Sequence, residues 1–134
     1  MRGCLLHNTM VKHVENTASK FFEFVWPEYR YIKNGVTMFV DVFAHRNSVT
    51  LAFEIETTSR HAIDNVKKAA AVGIPLWIIV PTRSLKFRLT GRLNDLELRP
   101  GGEPVKILLL GQLQQKLMNY LSLSIPANRL KDKQ

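Results

Sequence analysis

The chain has 134 residues, a formal net charge of +8 and 46% hydrophobic residues. That length suits one domain with its own core, and that apolar content excludes disorder for most of it. A lone cysteine, Cys4, excludes an intramolecular disulfide and a cysteine-built zinc cage.

No apolar run is long enough to span a bilayer, and none is placed like a signal peptide. The expectation is a cytoplasmic protein with no membrane segment. The basic charge suits a polyanionic partner, although Lys and Arg are dispersed along the chain and would need the fold to gather them.

Asn8-Thr9 is a cap before an amphipathic helix that runs to about Val25. Met10, Val11, Val14, Ala18, Phe21, Phe22 and Val25 recur on its apolar stripe, and Glu15 shares that stripe. A carboxylate at the margin of a core face needs a partner. Lys12 can supply one, or Glu15 points at an acidic cluster elsewhere.

Trp26-Pro27 ends the helix, because proline cannot continue it. A short strand over Glu28 to Lys33 follows, then the turn Asn34-Gly35, where both residues tolerate positive φ.

Two strands rich in β-branched and aromatic residues come next, Val36 to Ala44 and Ser48 to Thr57. His45-Arg46-Asn47-Ser48 separates them as a hairpin. If Arg46-Asn47 is the tip, Asp41 faces Ala52 and lies diagonal to Glu54, within about 7–8 Å. Alternation then puts Asp41, Glu54 and Glu56 on one face. Such a cluster repels itself unless a cation sits in it, and its hard oxygens suit Mg²⁺. The plainer alternative makes Glu54 and Glu56 the solvated face of an edge strand.

Thr57-Thr58-Ser59 caps a helix from about Arg60 to Val72, closed by Gly73. Its core face is Ile63, Val66, Ala69, Ala70 and Val72, with His61, Asp64, Asn65 and Lys68 off the stripe and Lys67 at its border. Leu76 to Val80 is a continuous apolar run, suited to a strand buried on both faces in parallel pairing. A basic helix weakened by Gly91, a loop over Arg99 to Pro104 and a strand over Val105 to Leu110 follow. A final helix from Gln112 to Leu123 carries Leu113, Leu117, Met118 and Leu121 on one face. Residues 126–134 read as a basic, mobile tail after one domain over 1–125. The order α-β-β-β-α-β-α-β-α describes an α/β fold, a mixed β-sheet flanked by helices.

A first helix with a Glu, then Asp41, then Glu54-Ile55-Glu56 at a strand end, then a helix and a buried strand, resembles the PD-(D/E)xK nuclease superfamily. That superfamily includes restriction endonucleases and archaeal Holliday junction resolvases. The stretch from Glu54 to Lys68 is also similar to small nucleases of microbes and mobile elements. The resemblance covers roughly residues 8–81 and rests on the whole arrangement, since the motif itself is short.

The resemblance implies a restriction-endonuclease-like sheet and a Mg²⁺-dependent endodeoxyribonuclease, with Mn²⁺ as substitute. Asp41, Glu54 and the backbone carbonyl of Ile55 match the metal site, and Glu15 matches a helix acid. Glu56 stands where most members have lysine, which Lys67 or Lys68 on the next helix would replace. Arg60, His61, Lys67 and Lys68 would hold the backbone of duplex or branched DNA. Cutting two strands implies a homodimer. The departure at Glu56 keeps alive a DNA-binding or assembly protein of this fold without catalysis. A small α/β protein-interaction domain is a further alternative.

Overall fold

The structure, a computed structural model, describes residues 4–124. The tail expected over 126–134 lies outside them. A five-stranded mixed sheet runs in the spatial order β1-β2-β3-β4-β5, where β1 is Phe24–Lys33, β2 Val36–Arg46, β3 Val49–Ile55, β4 Leu76–Val80 and β5 Lys106–Leu109. The first three strands form an antiparallel meander, and β4 and β5 add in parallel through helical crossovers. The helices are α1 (Leu5–Ala18), α2 (Ala62–Val72), α3 (Arg83–Asn94) and α4 (Leu113–Ser124). None of the described helices is long and apolar enough to cross a membrane.

Each face of the sheet has its own core. Val14, Ala18, Phe53, Trp77 and Leu117 join α1 and α4 to one face. Val66, Ala69, Ile78, Leu85 and Leu89 join α2 and α3 to the other. The expected apolar run Leu76–Val80 is β4, an interior strand between β3 and β5, buried at every position. Such burial contributes roughly 1.5–3 kcal/mol per large side chain.

Several boundaries differ from expectation. The first helix starts at Leu5, with Cys4 Sγ accepting the His7 N–H at 3.3 Å, so Asn8-Thr9 lies inside it. It stops at Ala18, and Ser19 Oγ donates back to the Glu15 carbonyl at 2.8 Å. Phe24 and Val25 belong to β1, which runs through Pro27. The proline is tolerated because β1 is an edge strand, where a missing N–H breaks no outer ladder. On α4, Leu113, Leu117 and Leu121 are buried, whereas Met118 faces solvent. Gly91 does not interrupt α3, which Thr82 caps by accepting the Leu85 N–H at 3.3 Å. Gly73 closes α2 in the left-handed conformation, as its position implies.

Both turns of the meander use positive φ. Asn34 and Gly35, at 55° and 74°, join Lys33 to Val36. The second tip is Asn47-Ser48, with Asn47 at 54°, and not Arg46-Asn47. The register therefore moves by two residues. Val42 faces Phe53 as the last pair, so Asp41 is in register with Glu54 and not with Ala52, just beyond the ladder's end.

Candidate active site

The β2–β3 ladder ends at the Val42–Phe53 pair. Beyond it the strands separate, and Asp41 fills the gap with its side chain. Its Oδ2 accepts the Ile55 N–H at 2.8 Å, in place of a backbone rung. His7 Nε2 of α1 lies 3.3 Å from the same oxygen. His7 and Asp41 are both buried.

A kink in the β1–β2 hairpin explains this placement. Met38 and Val40 sit in the α2/α3 core, yet Val42 and Ala44 sit in the α1/α4 core. Strict alternation would put all four on one face. The switch falls at Asp41 and Glu28, the two positions in register that the β1–β2 ladder skips, and Glu28 has φ of 50°. The three expected carboxylates consequently do not share one face. Alternation along β3 puts Glu54 on the α2/α3 side with Ala52. Glu56 follows on that side and accepts a 3.1 Å hydrogen bond from Asn65 Nδ2 of α2. Asp41 instead reaches the α1 side. Among the described residues, no group of three or more His, Cys, Asp or Glu side chains is placed to hold a metal ion.

All three carboxylates are nevertheless buried, Glu54 completely, which excludes the solvated-face alternative for Glu54 and Glu56. Buried carboxylates persist only with partners. The donor set suits Mg²⁺ in kind, since that ion is held by one or two carboxylates, waters and substrate phosphate, without a closed protein cage. Asp41 and Glu54 supply carboxylates of that kind at the open end of the ladder, but from opposite faces of the sheet. In a strand the N–H and C=O of one residue point to the same side. The Ile55 carbonyl thus faces Asp41 as its N–H does.

Two cavities flank this point. The larger, of about 690 Å³, is lined by Asp41, Glu28, Glu15 and Lys12 among others. Glu15 is half-buried, with Lys12 Nζ 4.0 Å from its Oε1, so the expected pairing with Lys12 is present, and Glu15 lines the same cavity as Asp41. The smaller, of about 400 Å³, is lined by Glu56, Arg60 and His61. His7, Asn65 and Lys68 border both. Lys67 borders neither and points to solvent, because it is one position further round α2. Among the lysine candidates, Lys68 is therefore the one beside the acids.

His7, Glu28 and Asn65 are site residues that the sequence reading passed over. His7 continues the stripe of Met10 and Val14, but a helix started at Asn8 hides it. Asn65 is buried and not off the core stripe as expected, because α2 turns Ala62, Asn65, Val66 and Ala69 toward the sheet. Glu28 follows from the Asn34-Gly35 turn, whose two-residue loop fixes Glu28 opposite Asp41.

No family model, curated protein or solved structure matches this chain.

Proposed function

We propose that the chain is a metal-dependent nuclease of the restriction-endonuclease-like type, hydrolysing DNA phosphodiester bonds at the open end of the β2–β3 ladder. The observation that carries this reading is the buried Asp41 carboxylate spanning the strand gap to Ile55, with Glu54 across from it. When bound by Asp41, Glu54 and the Ile55 carbonyl, Mg²⁺ would supply an acidified water and charge stabilisation on the phosphate. Mn²⁺ would substitute.

The protein's own groups do the rest. The Ile55 N–H fixes the orientation of the Asp41 carboxylate. Lys68, between the two cavities, takes the place of the lysine that Glu56 displaces and positions the attacking water or the phosphate. Arg60 and His61, at the start of α2, neutralise the DNA backbone. Glu56 is held by Asn65 and keeps that amide directed into the smaller cavity. A second copy of the chain would serve the second strand of a duplex.

A second reading is a DNA-binding protein of the same fold without catalysis. Asp41 Oδ2 and Glu56 Oε2 already accept hydrogen bonds, and this favours it. Labelled linear, nicked and four-way-junction DNA incubated with Mg²⁺ or Mn²⁺ separates the two. Cutting by wild type, lost in both Asp41→Ala and Glu54→Ala, is the outcome expected of a nuclease. Binding without cutting in all three proteins moves the assignment to the second reading.

A further inference from the structure

The β1–β2 hairpin carries an aromatic stack that the cleavage site does not use. Phe24 and Trp26 lie parallel, with centroids 5.4 Å apart and planes 2° apart. Trp26 continues to Tyr29 at 5.8 Å, and Tyr29 to Phe43 at 4.3 Å. His45 flanks Phe24 at 6.3 Å, and its Nδ1 is fixed 3.1 Å from Thr50 Oγ1. The stack is anchored at Phe43, which is buried in the α2/α3 core. The Phe24–Trp26 end, flanked by His45, is only partly covered, since Phe24 is 43% and Trp26 44% exposed.

Two large parallel rings left in water, and braced from beneath, form a surface suited to flat aromatic partners. We propose that this stack is a platform for unpaired nucleobases, which holds the DNA strand single-stranded where it leaves the Asp41 site. The inference rests on the nucleic-acid part of the functional reading and not on its chemistry.

Three features favour this occupant. Trp26 is two residues from Glu28, which lines the larger cavity, so the platform begins roughly 7 Å along the strand from that residue, on the α2/α3 side of the sheet. Base stacking on aromatic side chains is sequence-tolerant and needs no groove readout. The chain's charge of +8 attracts a polyanion and repels a second copy of itself. Edge-to-edge pairing through β1 is further opposed by Pro27, which has no N–H, and by the left-handed Glu28 beside it.

The test is binding of a labelled oligothymidylate of roughly 15 nucleotides, and of a duplex of the same length, measured by anisotropy in EDTA. Wild type is expected to prefer the single strand. Trp26→Ala and Phe24→Ala are each expected to weaken that binding about tenfold, and Trp26→Phe to restore most of it. Phe87→Ala removes a lone ring that is 84% exposed on α3, and is expected to change nothing. Thermal melts of the exposed-site variants establish that they fold. Equal binding by Trp26→Ala and wild type overturns the platform, as does equal affinity for duplex and single strand. Self-association of wild type that Trp26→Ala abolishes, seen by sedimentation, also overturns it, in favour of a homodimer face. Platform-dependent binding without cleavage in Mg²⁺ would remove the nuclease and leave the platform. Cleavage indifferent to Trp26 would do the reverse.

Discussion

Asp41 and Ile55 are joined by a side-chain rung: the carboxylate accepts the Ile55 N–H at 2.8 Å where the backbone ladder has ended. One group thus closes the strand gap and presents charge to the larger cavity. The two roles separate by substitution. Asp41→Asn keeps an acceptor oxygen for the amide and loses the charge, so its stability is expected to stay within about 1 kcal/mol of wild type. Asp41→Ala leaves the buried N–H without an acceptor and is expected to cost about 1–3 kcal/mol. On the proposed nuclease reading, both should lower Mg²⁺-dependent cleavage by about 100-fold. Urea denaturation and a cleavage assay on the same samples check this. An active Asp41→Asn would remove the metal-ligand role.

Lys68 and Lys67 are neighbours in sequence with different surroundings. Lys68 borders both cavities and Lys67 neither. Lys68→Ala is expected to lower cleavage about 100-fold with no loss of stability, since the side chain is exposed. Lys67→Ala should cleave close to the wild-type rate. Single-turnover kinetics of the two variants decide between them, and equal effects would return both lysines to general backbone contact.

Element order was legible because the apolar patterns are long and their punctuation is explicit. Asn34-Gly35, Gly73 and the run Leu76–Val80 each have one local solution, and the fold uses it. The start of α1 and the extent of β1 were not legible. Cys4 is a weak capping signal, and Pro27 in a strand is acceptable only once β1 is known to be an edge. The site was legible in its residues but not in its geometry. Asp41, Glu54 and Glu56 are buried at one end of the sheet. Strict alternation fails at Asp41, because the Glu28 kink swaps the faces of β2, and no composition signal marks a left-handed glutamate. His7 was hidden by a helix start placed three residues after Leu5.

Tyr120 supplies an alkaline test of the opposite end of the fold. Its hydroxyl donates to Glu103 Oε2 at 3.0 Å, and its ring packs edge-on against Trp77 at 5.2 Å. Burial, then the Glu103 charge and the hydrogen bond to it, push the phenol above its ordinary value. The unfolded chain releases this proton near pH about 10, while the folded chain still holds it. The unfolded state therefore binds fewer protons above that pH, and stability falls as pH rises. Below it the contribution is fully present. Tyr120→Phe is expected to flatten the stability curve above pH about 10 and to cost about 1 kcal/mol at neutrality. Denaturation curves at neutral and alkaline pH check the slope, and an unchanged slope would assign it to other groups.

Glu28 is a strained residue at the edge of the candidate site. It holds φ of 50° without being glycine, directly across from Asp41, and it lines the larger cavity. A left-handed conformation costs an L-residue roughly 1–2 kcal/mol. The same kink accompanies the turn of Asp41 toward Ile55. Glu28→Gly removes the Cβ conflict and is expected to stabilise the fold by about 1 kcal/mol. It preserves the kink, so any fall in cleavage reports the lost carboxylate alone. Glu28→Ala keeps the strain and loses the same charge, and it should be less stable than Glu28→Gly by about the same amount. Thermal melts rank the three proteins. If Glu28→Ala matched Glu28→Gly in stability, the backbone at this position would carry no strain, and the kink would need another cause.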